Sequence, residues 1–353
     1  MRTARPIDRG LQVGAPPRCP AKQHLVESFQ LQRKLLGILL LISLLILAPS
    51  SARSNSTQRS RSLIITTDCG ADMDDQWAIA HASLAPELKL LAVVGNFAPK
   101  PHDLTSDDTT ICAHRVLEAV RRGSGIPVYR GADHPLSKRP FPVRNQGARA
   151  IIRLARNHSR QNRLVVLGLG PVTDIASALL LDPKLENRIE VVALAFDKYP
   201  EGEDGWNVRN DVHAWQILLD SQTPITVASG TVALKYLNLT KGESSAMMRG
   251  LGRPGKYLAS LHAGWLARYG KEFARETGGK DHWPVWDEAS IAVLLGLSHD
   301  QKRARPRLDP DVTFAFPNRS SRAPFKWVVS IDRTGLFDHL RRQLRRSRNI
   351  VLQ

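Results

Sequence analysis

Four carboxylates fall within eight residues in the run Asp68-Cys69-Gly70-Ala71-Asp72-Met73-Asp74-Asp75. Like charges gathered so tightly repel one another, and such a cluster persists when a cation neutralises it. Its donors are all oxygen, which selects a hard ion, Ca²⁺ or Mg²⁺, over zinc. Gly70 allows the tight turn that aims these side chains at one point. Helix capping accounts for one or two of the aspartates, since Asp in a first turn satisfies free N–H groups, but not for four. An EF-hand is excluded because its Gly and closing Glu are missing at the required spacing. A phosphatase with an Asp-x-Asp nucleophile is a rival reading. It needs a downstream Lys and a Thr or Ser at strand ends, and no convincing set is present.

Something must hold these residues in place. Short apolar runs occur at 63–67, 88–95, 126–131, 163–170, 189–196, 223–229 and 325–332. Most are continuous rather than alternating, as expected for strands buried on both faces of a parallel sheet. Helical stretches at 76–85, 110–122, 173–181, 211–219 and 287–296 lie among them, and a last helix is expected near 335–346. Alternation of this kind predicts an α/β fold, a Rossmann-like layered and mostly parallel sheet flanked by helices. Ligands in such folds sit beyond the carboxyl ends of the strands, and the acidic run follows the first strand directly. No internal repeat and no boundary divides 63–353, which reads as one catalytic domain behind an N-terminal segment, 1–62.

The run Asp68-x-Gly-x-Asp-x-Asp-Asp75, followed by Trp77-Ala78-Ile79, resembles the signature of the inosine/uridine-preferring nucleoside hydrolase family. The resemblance continues in chain order over about 270 residues: Val94-Gly95-Asn96, Ile126-Pro127-Val128 with Gly131 and Pro135-Leu136, Leu167 to Ala176, Trp206-Asn207 with Asp211, and Trp286-Asp287-Glu288-Ala289. It implies hydrolysis of the N-glycosidic bond of ribonucleosides to free base and ribose, with a bound Ca²⁺. Carried over, Asp68, Asp75, the Leu169 carbonyl and Asp287 are the expected metal ligands. Asp68 is also the expected general base, while Asp74, Asn96, Asn207 and Asp287 are expected to contact ribose hydroxyls. Such contacts orient the sugar and strengthen as it becomes oxocarbenium-like.

The chain departs from the family pattern in two places. Trp286 stands where some members have a His that helps protonate the leaving base, and an aromatic there is able to stack on the base. Gly205 replaces the Glu expected two positions before Asn207, with Glu203 and Asp204 nearby as substitutes. A non-catalytic ribose- or glycan-binding relative is therefore the alternative reading. Base preference stays open, as does the choice among Asp68, Asp72, Asp74 and Asp75 as metal contacts. Other residues read more plainly. His81 reads as packing or surface, Trp77 as core, and Asp211 as a cap for the next helix. His282 and Trp283 either line a base pocket or fill a loop.

Of 353 residues 42% are hydrophobic and 24% charged, so a disordered chain is excluded. Formal net charge is +17, yet 1–62 carries ten basic and two acidic residues and 302–353 carries thirteen and four, leaving 27 of each sign between. A nucleic-acid enzyme concentrates positive charge on its working domain, so no nucleic-acid partner is expected. The arginines at 341, 342, 345, 346 and 348 read as the solvated face of a terminal helix. Residues 35–48 are apolar, follow Arg33-Lys34 and precede Pro49-Ser50-Ser51-Ala52, the pattern of a signal peptide and thus of export. The alternative is a membrane anchor formed by the same run, and the membrane enters in no other way. Relatives form dimers or tetramers, which makes a homo-oligomer an expectation. Three cysteines without paired spacing argue against a disulfide scaffold and a structural zinc site, and Cys69 reads as a thiol blunted by its acidic neighbours.

Overall fold

The computed structural model describes residues 60–122, 125–138, 141–204, 206–316 and 323–349. The apolar run 35–48, with the basic leader before it, lies outside the described residues, as does Gly205. The strands are β1 (Arg61–Thr67), β2 (Leu88–Gly95), β3 (Val128–Arg130), β4 (Leu164–Gly168), β5 (Ile189–Leu194), β6 (Ile225–Ala228), β7 (Asn238–Thr240), β8 (His282–Pro284), β9 (Ser298–Arg303), β10 (Arg307–Leu308), β11 (Phe314–Ala315) and β12 (Phe325–Ile331). Eight of them form one sheet in the order β3-β2-β1-β4-β5-β6-β12-β9. All neighbours in it run parallel except β9, which pairs antiparallel with β12.

The helices are α1 (Asp74–Leu84), α2 (Ser106–Ala119), α3 (Gln146–Ala155), α4 (Thr173–Leu181), α5 (Val212–Asp220), α6 (Gly230–Leu237), α7 (Lys241–Met248), α8 (Gly252–Tyr269), α9 (Ala274–Thr277), α10 (Glu288–Leu294) and α11 (Arg333–Asn349). They cover both faces of the sheet, and β1 shows why its sequence reads as unbroken apolar. Leu63 and Ile65 belong to one buried cluster with Trp77, Ile291 and Leu336, while Ile64 belongs to the other with Ile151, Ile175 and Trp215. Successive side chains on a strand point to opposite faces, so a strand covered on both sides has no polar alternate position.

All seven expected strands are present, and β2 has its expected bounds. The strand β9, SHDQKR, carries little apolar signal because its side chains are largely exposed at the sheet margin. The 18-residue α8 escapes a propensity reading because it contains Gly252, Pro254, Gly255 and Gly264. Pro254 falls in its first turn, where a missing N–H leaves no helical bond unmade. Among the described helices none is long and apolar enough to cross a membrane.

The cysteines correct an expectation. Cys69 is not a thiol; it forms a disulfide with Cys112 on α2, their Cα atoms 5.8 Å apart and 43 residues apart in sequence. Sequence spacing gives no sign of the pairing, because the β2 crossover is what brings α2 over the end of β1.

Candidate active site

The strand order reverses at β1, with β2 on one side and β4 on the other. At such a switch point the loops leaving adjacent strands diverge and open a crevice at the carboxyl edge. The acidic loop leaves β1 there, and Leu169-Gly170-Pro171 leaves β4 beside it. Leu169 N donates to Thr66 O at 2.9 Å, which stitches the two strand ends together.

One oxygen from each of Asp74, Asp75 and Asp287 lies within 4.8 Å of the others, and all three residues are buried. Asp74 and Asp75 open α1, and Asp287 immediately precedes α10, whose first turns pack on α1 and α6. Asp287 N donates to Asp74 Oδ2 at 3.2 Å, which locks the two helix starts together. Behind them Glu288 bonds His81 Nδ1 at 2.7 Å, and His81 Nε2 meets His339 Nδ1 of α11 at 2.7 Å. His81 is thus a buried connector between helices.

Asp68 stands beside the trio, 2% exposed. Burial pushes its carboxyl up to about 6, and that of Asp74 up to about 7. Asp72, Asp75 and Asp287 are held well above the ordinary carboxylate range by burial first and by their acidic neighbours second. Neither Oδ1 nor Oδ2 of Asp287 has a hydrogen-bond partner among the described residues. Buried carboxylate oxygens without partners are costly, and a divalent cation meets both that need and the crowding of negative charge. The residues present therefore fit a hard cation: carboxylates of Asp68, Asp74, Asp75 and Asp287, with the Leu169 carbonyl at hand.

Asp68, Asp74, Asp75 and Leu169 floor a cavity of about 380 Å³, and Asp287 stands behind Asp74 and Asp75 rather than in its lining. Asp68, Asp72, Asp74, Asp75, Leu169, Asn207 and Trp286 all line it. Asn207 Nδ2 donates to Leu169 O and to Leu194 O, both at 3.0 Å, so its amide nitrogen is committed to the loop backbone. Leu169 O keeps a second lone pair. Asn96 does not line the cavity. Its Nδ2 donates to Pro171 O at 2.8 Å, so it pins the turn that carries Leu169. Asp72 accepts from Trp283 Nε1 at 2.9 Å and so leans toward the upper wall. Asp204 accepts the backbone N–H groups of Phe196, Trp206 and Val208, each at 2.8 Å, and shapes the loop that presents Trp206 and Asn207. Glu203 instead pairs with Lys198 in solvent. Asp211 caps α5 by accepting from Ala214 N at 2.9 Å.

The upper wall is aromatic, and most of it escaped the sequence reading. Trp265 lies 4.5 Å from Tyr269 and 5.9 Å from Trp283, ring centre to ring centre. His102 lies 5.1 Å from Trp206 and 6.2 Å from Trp265, its pKa lowered by burial. Trp265 and Tyr269 share one face of α8, four residues apart, which is the only signal the sequence offers for them. His102 comes from the loop between β2 and α2. A flat heteroaromatic ring is able to stack against such a wall from the cavity side.

The sequence profile of the inosine-uridine preferring nucleoside hydrolase family matches residues 63–333. A similar curated protein is the inosine-uridine preferring nucleoside hydrolase of Leishmania major, 26% identical over 254 residues, spanning 65% of this chain and 78% of that protein. Another is the pyrimidine-specific ribonucleoside hydrolase RihA of Salmonella arizonae, 24% identical over 320 residues, spanning 80% and 98%. Among solved structures, the purine-preferring ribonucleoside hydrolase from Gardnerella vaginalis superposes with a TM-score of 0.68 at 20% identity, covering 82% of this chain and all of that one. At that identity the likeness shows a shared fold.

Proposed function

Because the chain belongs to the inosine-uridine preferring nucleoside hydrolase family and is a hydrolase acting on N-glycosyl compounds, we propose that it cleaves ribonucleosides to free base and ribose with Ca²⁺ as its resident cation. The observation that carries this reading is the convergence of Asp74, Asp75 and Asp287, remote in sequence, under a cavity with an aromatic roof. Family membership favours an enzyme over a non-catalytic sugar-binding relative.

We assign Asp68, Asp75, Asp287 and the Leu169 carbonyl as the protein's ligands to that cation, with Asp74, the third member of the convergent trio, turned to the sugar in the cavity it lines. Bound by those ligands, the cation supplies charge compensation and Lewis acidity that makes a nearby water easier to deprotonate. Asp68 takes the water's proton. Its Oδ2 is held by Trp206, which leaves Oδ1, above Gly170, to accept it; a Cβ at Gly170 would lie 2.5 Å from that oxygen. Asp74 and Asn207 hold the sugar, and the surrounding carboxylates favour the positive charge that develops at its anomeric carbon. Asn96 acts one step back, through the turn at Pro171. The deprotonated water's oxygen bonds the anomeric carbon as the carbon–nitrogen bond breaks, and that bond's electron pair leaves with the base, which takes a proton from solvent. The base lies against Trp286 and the aromatic wall, which hold it by its face whatever its edge presents. That arrangement sorts bases by size and stacking more than by hydrogen-bond pattern.

The test is a panel of inosine, uridine, adenosine and cytidine, read by reducing-sugar release with and without a chelator. Ribose release that chelation abolishes and Ca²⁺ restores is expected. Cation binding with no sugar released from any nucleoside would sink the reading.

The leader pattern at 35–48 supports export, or anchoring by that run. The Cys69–Cys112 bond points the same way, since disulfides persist in oxidising compartments. Cell fractionation with N-terminal sequencing of the mature protein separates the two routes. The family resemblance supports a homo-oligomer, which light scattering reads directly.

A further inference from the structure

The loop that carries most of the carboxylates is irregular. Residues 69–73 form turns and bends between β1 and α1, with Ala71 N bonded to Asp68 O at 3.0 Å. Such a segment, loaded with like charges, has every reason to spread before a cation arrives. Cys69 sits directly after Asp68 and is wholly buried, and its sulfur is bonded to Cys112 on α2. The same helix follows the loop whose Pro101 and His102 line the cavity. Gly70, at φ +104°, nestles against this junction: a Cβ there would lie 3.5 Å from Leu104 Cδ1 and 3.8 Å from Cys112 Sγ. One covalent bond therefore fastens the acidic floor of the cavity to the helix that anchors the loop presenting His102 in its roof.

We propose that Cys69 and Cys112 are positioning residues: their disulfide holds the Asp68–Asp75 loop in its cation-binding arrangement and keeps the His102 loop in register above it. The proposal rests on the reading that these carboxylates hold a divalent cation. Ordering a loop at the moment of binding costs conformational entropy that a crosslink removes in advance. Freeing the backbone of one residue's worth of order corresponds to about 5- to 30-fold in affinity. Reduction by a dithiol delivers two electrons and two protons, leaves two thiols at Cys69 and Cys112, and closes the reductant into its own disulfide.

The experiment is calorimetric titration of the chelator-stripped protein with Ca²⁺ in four samples: the oxidised protein, the protein reduced with dithiothreitol, and the double variant Cys69→Ala/Cys112→Ala with and without dithiothreitol. Circular dichroism at the titration temperature establishes that each form is folded, and the reduced wild-type protein serves if the variant does not fold. Ca²⁺ binding weaker by about 5- to 30-fold on reduction, the same weakening in the variant, and no response of the variant to reductant are expected. In turnover, kcat should recover at saturating Ca²⁺ while KM for the nucleoside stays raised, a split that general destabilisation does not produce. Equal Ca²⁺ affinity in oxidised and reduced protein overturns the positioning role and leaves the cation reading standing. An oxidised protein that binds no Ca²⁺ overturns the cation reading, and the positioning role falls with it.

Discussion

The indole Nε1 of Trp206 donates to Asp68 Oδ2 at 3.0 Å, across 138 residues of sequence. That bond favours the ionised form of the one carboxylate assigned to proton transfer, and it opposes the burial that raises its pKa. Asp204, by gripping the backbone on both sides of Trp206, sets the angle of the indole. Trp206 thus joins two tasks, presenting a ring to the cavity and a donor to the carboxylate.

Trp206→Phe separates the two. The ring remains to meet His102, but the donor is lost, so the Asp68 carboxyl moves further up. A hydrogen bond to a charged group contributes about 1.5–3 kcal/mol. The variant should lose about tenfold or more in kcat/KM, and the acid limb of its pH–rate profile should shift to higher pH. An unshifted limb would remove Trp206 from the control of Asp68.

Asp287→Asn should reverse its effect with the cation. Without cation, neither carboxylate oxygen of Asp287 has a partner among the described residues and Asp74, Asp75, Asp68 and Asp72 crowd it, so at a pH high enough to ionise it the substitution relieves both burial of charge and repulsion. Chelated variant should melt a few degrees above chelated wild type, on the scale of about 2–4 °C per kcal/mol for a domain near this size. With Ca²⁺ the order inverts, because the variant no longer binds it well, and turnover should fall by about 10³-fold or more, as befits a lost metal ligand. Differential scanning calorimetry with chelator and with Ca²⁺ reads both halves.

Stability without cation should fall as pH rises from about 4 to about 7. Folded Asp68 titrates at about 6 and folded Asp74 at about 7, against 3.8 for an ordinary Asp. Across that window the folded protein holds protons that the unfolded chain has released, so raising the pH favours unfolding, and the effect levels off above the folded values. Ca²⁺ competes with those protons, so its stabilisation should be largest above about pH 7 and fade toward pH 5. Melting curves with and without Ca²⁺ at four pH values check this. A chelated protein that gains stability between pH 5 and 7 would contradict the placement of these carboxylates.

Trp265→Ala removes the centre of the aromatic wall. Stacking on a base contributes about 1–3 kcal/mol, so KM should rise about tenfold for purine and pyrimidine nucleosides alike, with kcat little changed. A large change for one class only would mean that the wall reads base identity through its edges.

The acidic loop and the strands were legible in the sequence for the same reason: their signals are local. Continuous apolar runs mark β1, β2 and β4, and four aspartates in eight residues mark a cation. Asp287 has no local signal. It lies 212 residues after Asp75, and only the ordered resemblance to a family tied the two together before the structure placed them side by side. The aromatic wall was harder still, because Trp265 and Tyr269 sit on a helix broken up in sequence by glycines, and a tryptophan facing a cavity is spelled like one facing a core. The disulfide was hidden by topology, since its halves meet only after a crossover.

The sheet ends bluntly at both margins. On one side β3 is three residues long, and its Arg130 is engaged with Asp107 at 2.8 Å. On the other, β9 presents Gln301, Lys302 and Arg303 to solvent, and it runs against the direction of its neighbour. An open row of backbone donors and acceptors invites a second chain to zip onto it, whereas charge and brevity discourage that growth. Crowded into a small compartment at high concentration, the protein should therefore resist fibril-like stacking through its strands.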